Sequence, residues 1–221
     1  MPTSTVENYL KQLYLEQQPL PAQDLVPMGK LAAAMAVTPG TATTMIKTLA
    51  EANLVTYEPR SGVRLTKAGE QLALHVLRRH RLVELFLVKV LDLDWSEVHE
   101  EAEHLEHAIS DKVLARIDAF LGHPSVDPHG DPIPTSKGKV SAQKLLSLGE
   151  CEPGRPVRIA RIADQESPFL QFLDRSGLVP GVTVTVQSRD RHADNVILKL
   201  PNRPPLSLGT AAASKILVEP A

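Results

Sequence analysis

The stretch VTPGTATTMIKTLAEANLVTYEPRSGVRLT, residues 37–66, carries the clearest structural pattern in the N-terminal part of the chain. Thr38 is placed to cap a helix whose first turn holds Pro39. Met45, Ile46 and Leu49 then recur at helical spacing, and two runs rich in strand-forming residues follow, separated by the turn sequence PRSG. We therefore predict one helix followed by a two-stranded hairpin.

Two more helices are predicted before this stretch. Val6, Leu10 and Leu13 recur at helical spacing until Pro19 stops the pattern, and MGKLAAAMA, residues 28–36, reads as a second short helix. A helix, a short turn, a helix and a two-stranded wing form a winged helix-turn-helix. We predict this domain over residues 1–74.

The rest of the chain divides into three further parts. Residues 75–136 are mostly helical in pattern, with a possible break near LDLDW and an end in proline- and glycine-bearing sequence. Residues 137–152 are polar enough to form a linker. Residues 153–221 contain short alternating runs and one helical stretch, SPFLQFLDRSG, which predicts a small SH3-like β-barrel.

Composition excludes several classes of protein. The 221 residues are 43% apolar and 23% charged, which is ordinary for a globular protein. The single cysteine, Cys151, excludes an intramolecular disulfide, and the N-terminus lacks the pattern of a secretory signal, so we expect a reduced, cytoplasmic protein. No apolar run approaches the roughly 18 to 20 residues of a membrane span. The net charge of −2 excludes a globally basic nucleic-acid binder but not a local basic face.

The sequence EVHEEAEHLEH, residues 97–107, concentrates histidine and glutamate on a predicted helix over residues 97–109. At about 100° per residue, four of them share one arc: His99, Glu103, Glu106 and His107. An apolar stripe adjoins them: Val98, Ala102, Leu105 and Ile109. His80 and Glu84 form an i, i+4 pair on an earlier helix. Imidazole and carboxylate without thiolate suit manganese or ferrous iron.

The alternative to metal ligation is a solvated face stabilised by lysine or arginine. Residues 97–109 contain neither, so their glutamates would repel one another at about 0.2 to 0.5 kcal/mol per pair. A zinc-protease motif is absent, because Glu103 stands where HExxH starting at His99 needs its second histidine. A metalloenzyme using the same His/Glu cluster, without DNA binding, and a winged-helix regulator that needs no metal remain the rival hypotheses.

The segment Arg78–Val113 resembles the metal-binding and dimerisation helices of the DtxR/MntR family of metal-dependent transcriptional repressors. Residues 37–73 are similar to the family's winged helix, and LQFLDRSGLVPGVTVTV, residues 170–186, resembles the FeoA-like SH3 domain of its longer members. The resemblance implies a multidomain, mainly α-helical protein with small β elements: a winged helix-turn-helix, a helical dimerisation domain and an SH3-like β-barrel. It implies a repressor of metal-uptake genes and not an enzyme.

The resemblance also implies two metal sites. The ancillary site takes His80, Glu84 and His99 and is completed by one of Asp164, Gln165 or Glu166; the primary site takes Glu103, Glu106 and His107, with Asn8 from the first helix. Glu103 replaces the cysteine of the iron-sensing branch and favours Mn(II), with Fe(II) as the alternative and with Zn(II) or Co(II) as substitutes in vitro. Asn8 replaces a charged aspartate of the manganese branch, and Lys11 replaces a glutamate ligand of two-domain members. We interpret DPHGDPIP, residues 127–134, as a turn more than a third site.

The predicted partner is double-stranded operator DNA, bound by a homodimer. The predicted DNA contacts are Lys30, Thr38, Pro39, Gly40, Thr41, Thr43, Thr44, Lys47, Arg60 and Arg64. The predicted dimer contacts, which would equally suit an intramolecular core, are Ile109, Val113, Ile117 and Phe120. Two recognition helices would then lie about 34 Å, or a multiple of it, apart. A metal ion shared by Asn8 and the primary site would fix the geometry for DNA binding.

Overall fold

The computed structural model describes residues 3–21, 23–141, 143–190 and 192–221. These residues form two compact units. The first unit contains the described residues up to His80 together with Pro134–Val140, and the second contains Arg81–Ile133 and the described residues from Ser141 onward. Within the described ranges, no helix is long and apolar enough to span a membrane.

The first unit contains the predicted winged helix-turn-helix. Its elements are α1 (Ser4–Gln17), α2 (Met28–Ala34), α3 (Pro39–Glu51), β1 (Val55–Glu58), β2 (Gly62–Leu65) and the beginning of α4 (Lys67–Leu91). The cap predicted for α3 is confirmed, because Thr38 Oγ1 accepts the Thr41 N–H at 3.2 Å and Pro39 occupies the first turn. The two strands of the wing pair antiparallel.

The wing is fixed to the rest of the first unit at the loop before α2. Val63 pairs with Val26 through two backbone hydrogen bonds of 2.8 and 3.0 Å. Gly62 has a φ of +146°, and a Cβ on it would lie 2.5 Å from the Val26 carbonyl oxygen. Only glycine allows this close approach. The wing therefore has a defined position beside α3, whose Ile46 is fully buried in the same core.

The helical part of the second unit consists of the end of α4, α5 (Val98–Glu106) and α6 (Asp111–Phe120). The helix predicted over residues 97–109 is shorter than expected: it ends at Glu106, and Ser110 caps the next helix by accepting the Val113 N–H at 3.4 Å. The predicted apolar stripe was wrong at Leu105, which is 38% exposed. The buried face of α5 instead runs through Val98, Ala102 and Glu106, because residues four apart align on a helix.

The C-terminal part of the second unit contains β3 (Leu146–Ser147), β4 (Pro156–Ile162), α7 (Ser167–Ser176), β5 (Thr183–Asp190), β6 (Asn195–Lys199), β7 (Leu206–Gly209), α8 (Thr210–Ser214) and β8 (Ile216–Pro220). Its strands form a six-stranded antiparallel sheet in the order β3-β8-β4-β5-β6-β7. The alternating runs predicted within residues 153–221, which are RPVRIARI, VTVTVQS, VILKL and SKILVEP, are confirmed as β4, β5, β6 and β8, and the predicted helical stretch is confirmed as α7. Strand β3 lies inside the stretch predicted as a linker.

Candidate metal centre and nucleic-acid interface

The last turn of α5 brings together three predicted metal ligands. Glu103, Glu106 and His107 each offer one ligand atom, and these atoms lie within 4.8 Å of one another. His107 Nε2 is 3.3 Å from Glu106 Oε1, and the Glu106 side chain is 0% exposed. A buried carboxylate is costly unless it is paired with positive charge or coordinates a metal. Two carboxylates and an imidazole fit a first-row divalent cation.

Glu84 of helix α4 lies between two histidines of the second unit. Its Oε1 is 3.3 Å from His99 Nδ1, and its Oε2 is 4.0 Å from His129 Nδ1. The Glu84 side chain is buried, whereas that of His99 is about half exposed and also lies 3.8 Å from Glu103 Oε1. The structure therefore brings together Glu84 and His99, which the resemblance assigned to one site. His129 was not among the predicted ligands.

Glu84, Asp127 and His129 form a second cluster whose ligand atoms lie within 4.8 Å of one another, and all three residues are buried. His129 Nε2 lies 2.8 Å from the Trp95 carbonyl oxygen. A carbonyl only accepts, so Nε2 carries the hydrogen and Nδ1 of the neutral ring carries the lone pair. Within the described part of the chain, the buried Nδ1 has no hydrogen-bond partner. A histidine that donates one N–H to a carbonyl and presents its other nitrogen is typical of metal ligands.

The loop that supplies Asp127 and His129 is held against strand β4. The Ile162 N–H donates to the His129 carbonyl oxygen at 2.9 Å. Gly130 has a φ of +88°, and a Cβ there would lie 1.9 Å from the Ala160 carbonyl oxygen, so the approach requires glycine. Asp127 Oδ1 accepts the N–H groups of His129 and of Asp131, each at 2.9 Å. The segment is a turn, as predicted, and the turn itself positions both side chains.

Asp127 is electrostatically unfavourable as a carboxylate in this position. Burial raises its pKa well above the ordinary value of an aspartate, and the negative charges of Asp131 and Glu84 raise this pKa further. Arg81 acts in the opposite direction, with its Nε 3.4 Å from Asp127 Oδ2. The negative charge of these carboxylates that Arg81 does not balance favours a bound cation. In the sequence, the only signal for this cluster is the alternation of acid and imidazole in DPHGD.

The three candidates for completing the ancillary site have different surroundings. Asp164 forms an ion pair with Lys215, whose Nζ lies 2.6 Å away. Gln165 donates from Nε2 to Asp131 Oδ2 at 2.5 Å. Glu166 is exposed at the start of α7, and it lines a cleft of about 760 Å³ together with Gln165 and His99. Gln165 and Glu166, but not Asp164, therefore share a cleft with a predicted ligand.

Two predicted ligands belong to the first unit. Asn8 is half-buried on α1, and His80 is buried on α4. Lys11, one turn after Asn8, is also buried, and its Nζ lies 3.4 Å from His80 Nδ1. A predicted ligand thus has a lysine nitrogen as a direct neighbour, which the sequence did not indicate.

The predicted DNA contacts lie on α2, on α3 and in the wing. Five of those on and just before α3 are exposed and a sixth is half-buried: Thr38, Pro39, Gly40, Thr41 and Thr44, and then Thr43. Lys47 is exposed on the same helix, as is Arg60 at the tip of the wing, while Arg64 is half-buried in β2. Lys30 differs from the others, because its Nζ forms a 2.8 Å ion pair with Glu16.

The residues predicted at the dimer interface divide into two groups. Ile117 is buried with Leu82 and Leu114, and Ile109 packs against the same cluster. Val113 is 49% exposed and Phe120 is 72% exposed. The first pair therefore belongs to the core of the second unit, and the second pair forms an apolar surface on α6.

Comparison with protein families accounts for most of the chain. Residues 1–63 match the N-terminal DNA-binding domain of iron-dependent repressors. Residues 66–135 match the metal-binding and dimerisation domain of the same repressors, and residues 146–220 match the FeoA domain. These three matches define a metal-dependent DNA-binding regulator.

Individual relatives support the same assignment. The iron-dependent repressor IdeR of Mycobacterium leprae is 28% identical over 97% of this chain and 96% of its own length, and IdeR of Mycobacterium tuberculosis is 32% identical over 70% and 72%. A solved manganese-dependent transcriptional repressor in complex with manganese is 38% identical, with a TM-score of 0.87 over 98% of this chain and 100% of its own. ScaR with bound Cd²⁺ is 33% identical, with a TM-score of 0.79 and full coverage of both chains. The chain belongs to the DtxR/MntR family of metal-dependent transcriptional repressors. The family consists of repressors rather than enzymes, so the metalloenzyme hypothesis is not favoured.

Proposed function

We propose that this protein is a Mn(II)-activated repressor that works in the cytoplasm as a homodimer, binds double-stranded operator DNA and controls metal-uptake genes. The observation that carries the proposal is the buried Glu106 carboxylate, which forms with Glu103 and His107 a group of oxygen and nitrogen ligands. The similarity to a solved manganese-dependent repressor supports the choice of metal.

The ligand chemistry favours manganese over softer metals. Thiolates select zinc, copper and iron–sulfur clusters, whereas carboxylates suit manganese. The chain's one cysteine, Cys151, is buried in the core of the C-terminal sheet. Its thiol donates a hydrogen bond to the Ser147 carbonyl oxygen at 3.4 Å. Fe(II) is the alternative, since it accepts the same ligands. Zn(II) and Co(II) would substitute in vitro, because sites of this kind generally bind divalent cobalt and zinc more tightly than manganese and iron.

The second cluster would hold a further ion, with Glu84, Asp127 and His129 as its ligands. Half-exposed His99 lies close enough to Glu84 to join it. Of the three candidate ligands from the C-terminal part, we propose that Gln165 or Glu166, rather than Asp164, completes the site, because Lys215 already neutralises Asp164. A bound divalent cation would supply positive charge to these clustered carboxylates and fix their side chains.

The same chain offers surfaces for DNA and for a second copy of itself. The exposed residues of α3 and Arg60 would contact the operator, with Lys47 nearest the phosphates. Lys30 would contact DNA only after its ion pair with Glu16 is broken. Exposed Val113 and Phe120 on α6 would form part of the homodimer interface.

Metal-dependent DNA binding tests the proposal. Chelated protein is titrated onto labelled DNA from upstream of a manganese-transport gene, at fixed salt and without oxygen, with Mn²⁺, Fe²⁺ or Zn²⁺ added in separate series. We expect Mn²⁺ to tighten DNA binding roughly tenfold or more, and the other ions to do so less. Equal affinity with and without every ion would contradict the proposed mechanism.

A further inference from the structure

The exposed face of α3 carries few hydrogen-bond donors. Six exposed residues form this face: Gly40, Thr41, Thr44, Lys47, Thr48 and, at its C-terminal end, Glu51, whose carboxylate only accepts hydrogen bonds. The helix contains no arginine, asparagine or glutamine, and Lys47 is its one side chain of the types that read guanine or adenine with two hydrogen bonds. A DNA-binding domain matches this region, so the threonines have to supply much of any base recognition.

The hydroxyl protons of these threonines are already used within the helix. Thr44 Oγ1 donates to the Gly40 carbonyl oxygen at 3.1 Å, and Thr48 Oγ1 donates to the Thr44 carbonyl oxygen at 3.3 Å. A threonine hydroxyl has one proton and two lone pairs. Each oxygen therefore faces solvent only as an acceptor. The bond to the preceding turn also selects one rotamer, which fixes the direction of the methyl group.

The N-terminal end of the face adds little donor capacity. The hydroxyls of Thr38 and Thr41 lie 2.9 Å apart, so one of them donates to the other. Thr38 Oγ1 also accepts the Thr41 N–H at 3.2 Å. This pair therefore has one hydroxyl proton left to offer, and Lys47 is the cationic donor further along the face.

We infer that Thr44 and Thr48 read A·T base pairs in the major groove by combining a hydrogen-bond acceptor with a methyl group. This inference rests on the proposed function. Adenine presents the N6 amino donor and thymine the C5 methyl, which match the two features of these side chains. Guanine presents only the acceptors N7 and O6, which would face another acceptor. Cytosine offers an amino group but no methyl, so a G·C pair satisfies half of the match.

Base analogues separate the two halves of this match. The 221-residue chain, loaded with Mn²⁺, is bound to its footprinted operator, in which each A·T pair is altered in turn. Uracil for thymine removes the methyl group, and purine for adenine removes the N6 amino group. At the pairs read by Thr44 and Thr48, each change should weaken binding about fivefold, the lower end of the cost of a mismatched pair.

Two variants of Thr44 connect these losses to a side chain. Thr44→Val keeps the methyl groups and removes the acceptor, so it should lose its sensitivity to purine and keep its sensitivity to uracil. Thr44→Ser keeps the acceptor and removes the methyl, so it should show the opposite pattern. Thr5→Val, which makes the same change at an exposed position of α1, should keep both sensitivities.

The outcomes distinguish the inference from the proposed function. If no metal-loaded protein binds the DNA, the proposed function fails before any analogue is tested. If the DNA is bound but Thr44→Val and Thr44→Ser lose affinity equally on every analogue, the threonines do not read these bases. A preference for G·C at every protected pair would also overturn the inference.

Discussion

The two carboxylate–imidazole clusters of the second unit are built in different ways. Glu103, Glu106 and His107 come from one turn of α5 and the residue that caps it. Asp127 and His129 come from a loop that the fold brings to Glu84 on α4. Helical spacing is visible in a sequence, whereas a contact between a loop and a helix is not. The first cluster could therefore be predicted from the sequence, whereas the second is visible only in the folded structure.

Removing a ligand of the α5 cluster should have the largest effect. Glu103→Ala takes away one of two carboxylates, so we expect a loss of roughly 100-fold in Mn²⁺-dependent operator binding, near the upper range of allosteric coupling. Fluorescence anisotropy with labelled operator measures the loss. Glu101→Ala, at an exposed glutamate on the same helix, should bind like the unaltered protein. A normal Mn²⁺ response in Glu103→Ala would remove this cluster from the mechanism.

Removing His129 should weaken operator binding less than removing Glu103 does, and it should lower the number of Mn²⁺ ions bound per chain. His129→Ala eliminates the lone pair that faces Glu84, so calorimetric titration with Mn²⁺ should show one ion fewer per chain. Operator binding should weaken roughly tenfold. His104→Ala, at an exposed histidine of α5, is the matched control and should keep the full number of ions. Unchanged stoichiometry in His129→Ala would mean that the second cluster is only structural.

Asn8→Asp should strengthen the response to manganese. An aspartate adds the negative charge that the amide lacks, and affinity for hard cations depends on the charge of the ligands. We expect the Mn²⁺ concentration for half-maximal operator binding to fall roughly three- to tenfold. Asn8→Ala should raise this concentration. If both variants match the unaltered protein, residue 8 does not ligate the ion.

The smallest effect concerns the pH dependence of the metal-free protein. Burial raises the pKa of Asp127 in the folded chain. The stabilising contribution of its protonated side chain is therefore fully present below the ordinary aspartate pKa, and it is lost as the pH rises through the raised pKa. An asparagine side chain does not ionise, so the Asp127→Asn variant does not lose this stability as the pH rises. In chelated protein at neutral pH, the variant should melt roughly 2 to 4 °C higher, which corresponds to about 1 kcal/mol.

Acid should remove this difference. At about pH 2.5, well below the ordinary aspartate pKa of about 3.9, Asp127 keeps its proton in both the folded and the unfolded chain, so the variant and the unaltered protein should melt together. Thermal unfolding at several pH values provides the comparison. A variant that is less stable at neutral pH, or a difference that does not change with pH, would show that Arg81 already compensates the Asp127 carboxylate.

Local signals made the first unit predictable. The Thr38 cap, Pro39 in the first turn and the PRSG turn act within a few residues, and each is found where it was expected. The chain's pairing of Leu146–Ser147 with β8 joins residues far apart in sequence, and the polar stretch around them gave no strand signal. Local patterns are therefore a sound guide to elements but not to distant strand pairs.

The sites follow the same rule. Helical periodicity placed His99, Glu103, Glu106 and His107 on one arc, but it also placed Leu105 in the core, because a nine-residue helix has too few apolar positions to define the direction of its buried face. The position of Lys11 beside His80 depends on the packing of α1 against α4, which no spacing in the sequence reports. Tertiary packing thus decides which predicted ligands have charged neighbours.

We expect metal binding at the α5 cluster and operator binding to be coupled. The most direct test is the Mn²⁺ affinity of the protein with and without saturating operator DNA, measured by calorimetry. Coupling is reciprocal, so the Mn²⁺ affinity should rise with operator by the same factor as Mn²⁺ raises the affinity for operator, within the range of about 5- to 150-fold. An Mn²⁺ affinity that is identical with and without operator would show that metal binding does not control operator binding.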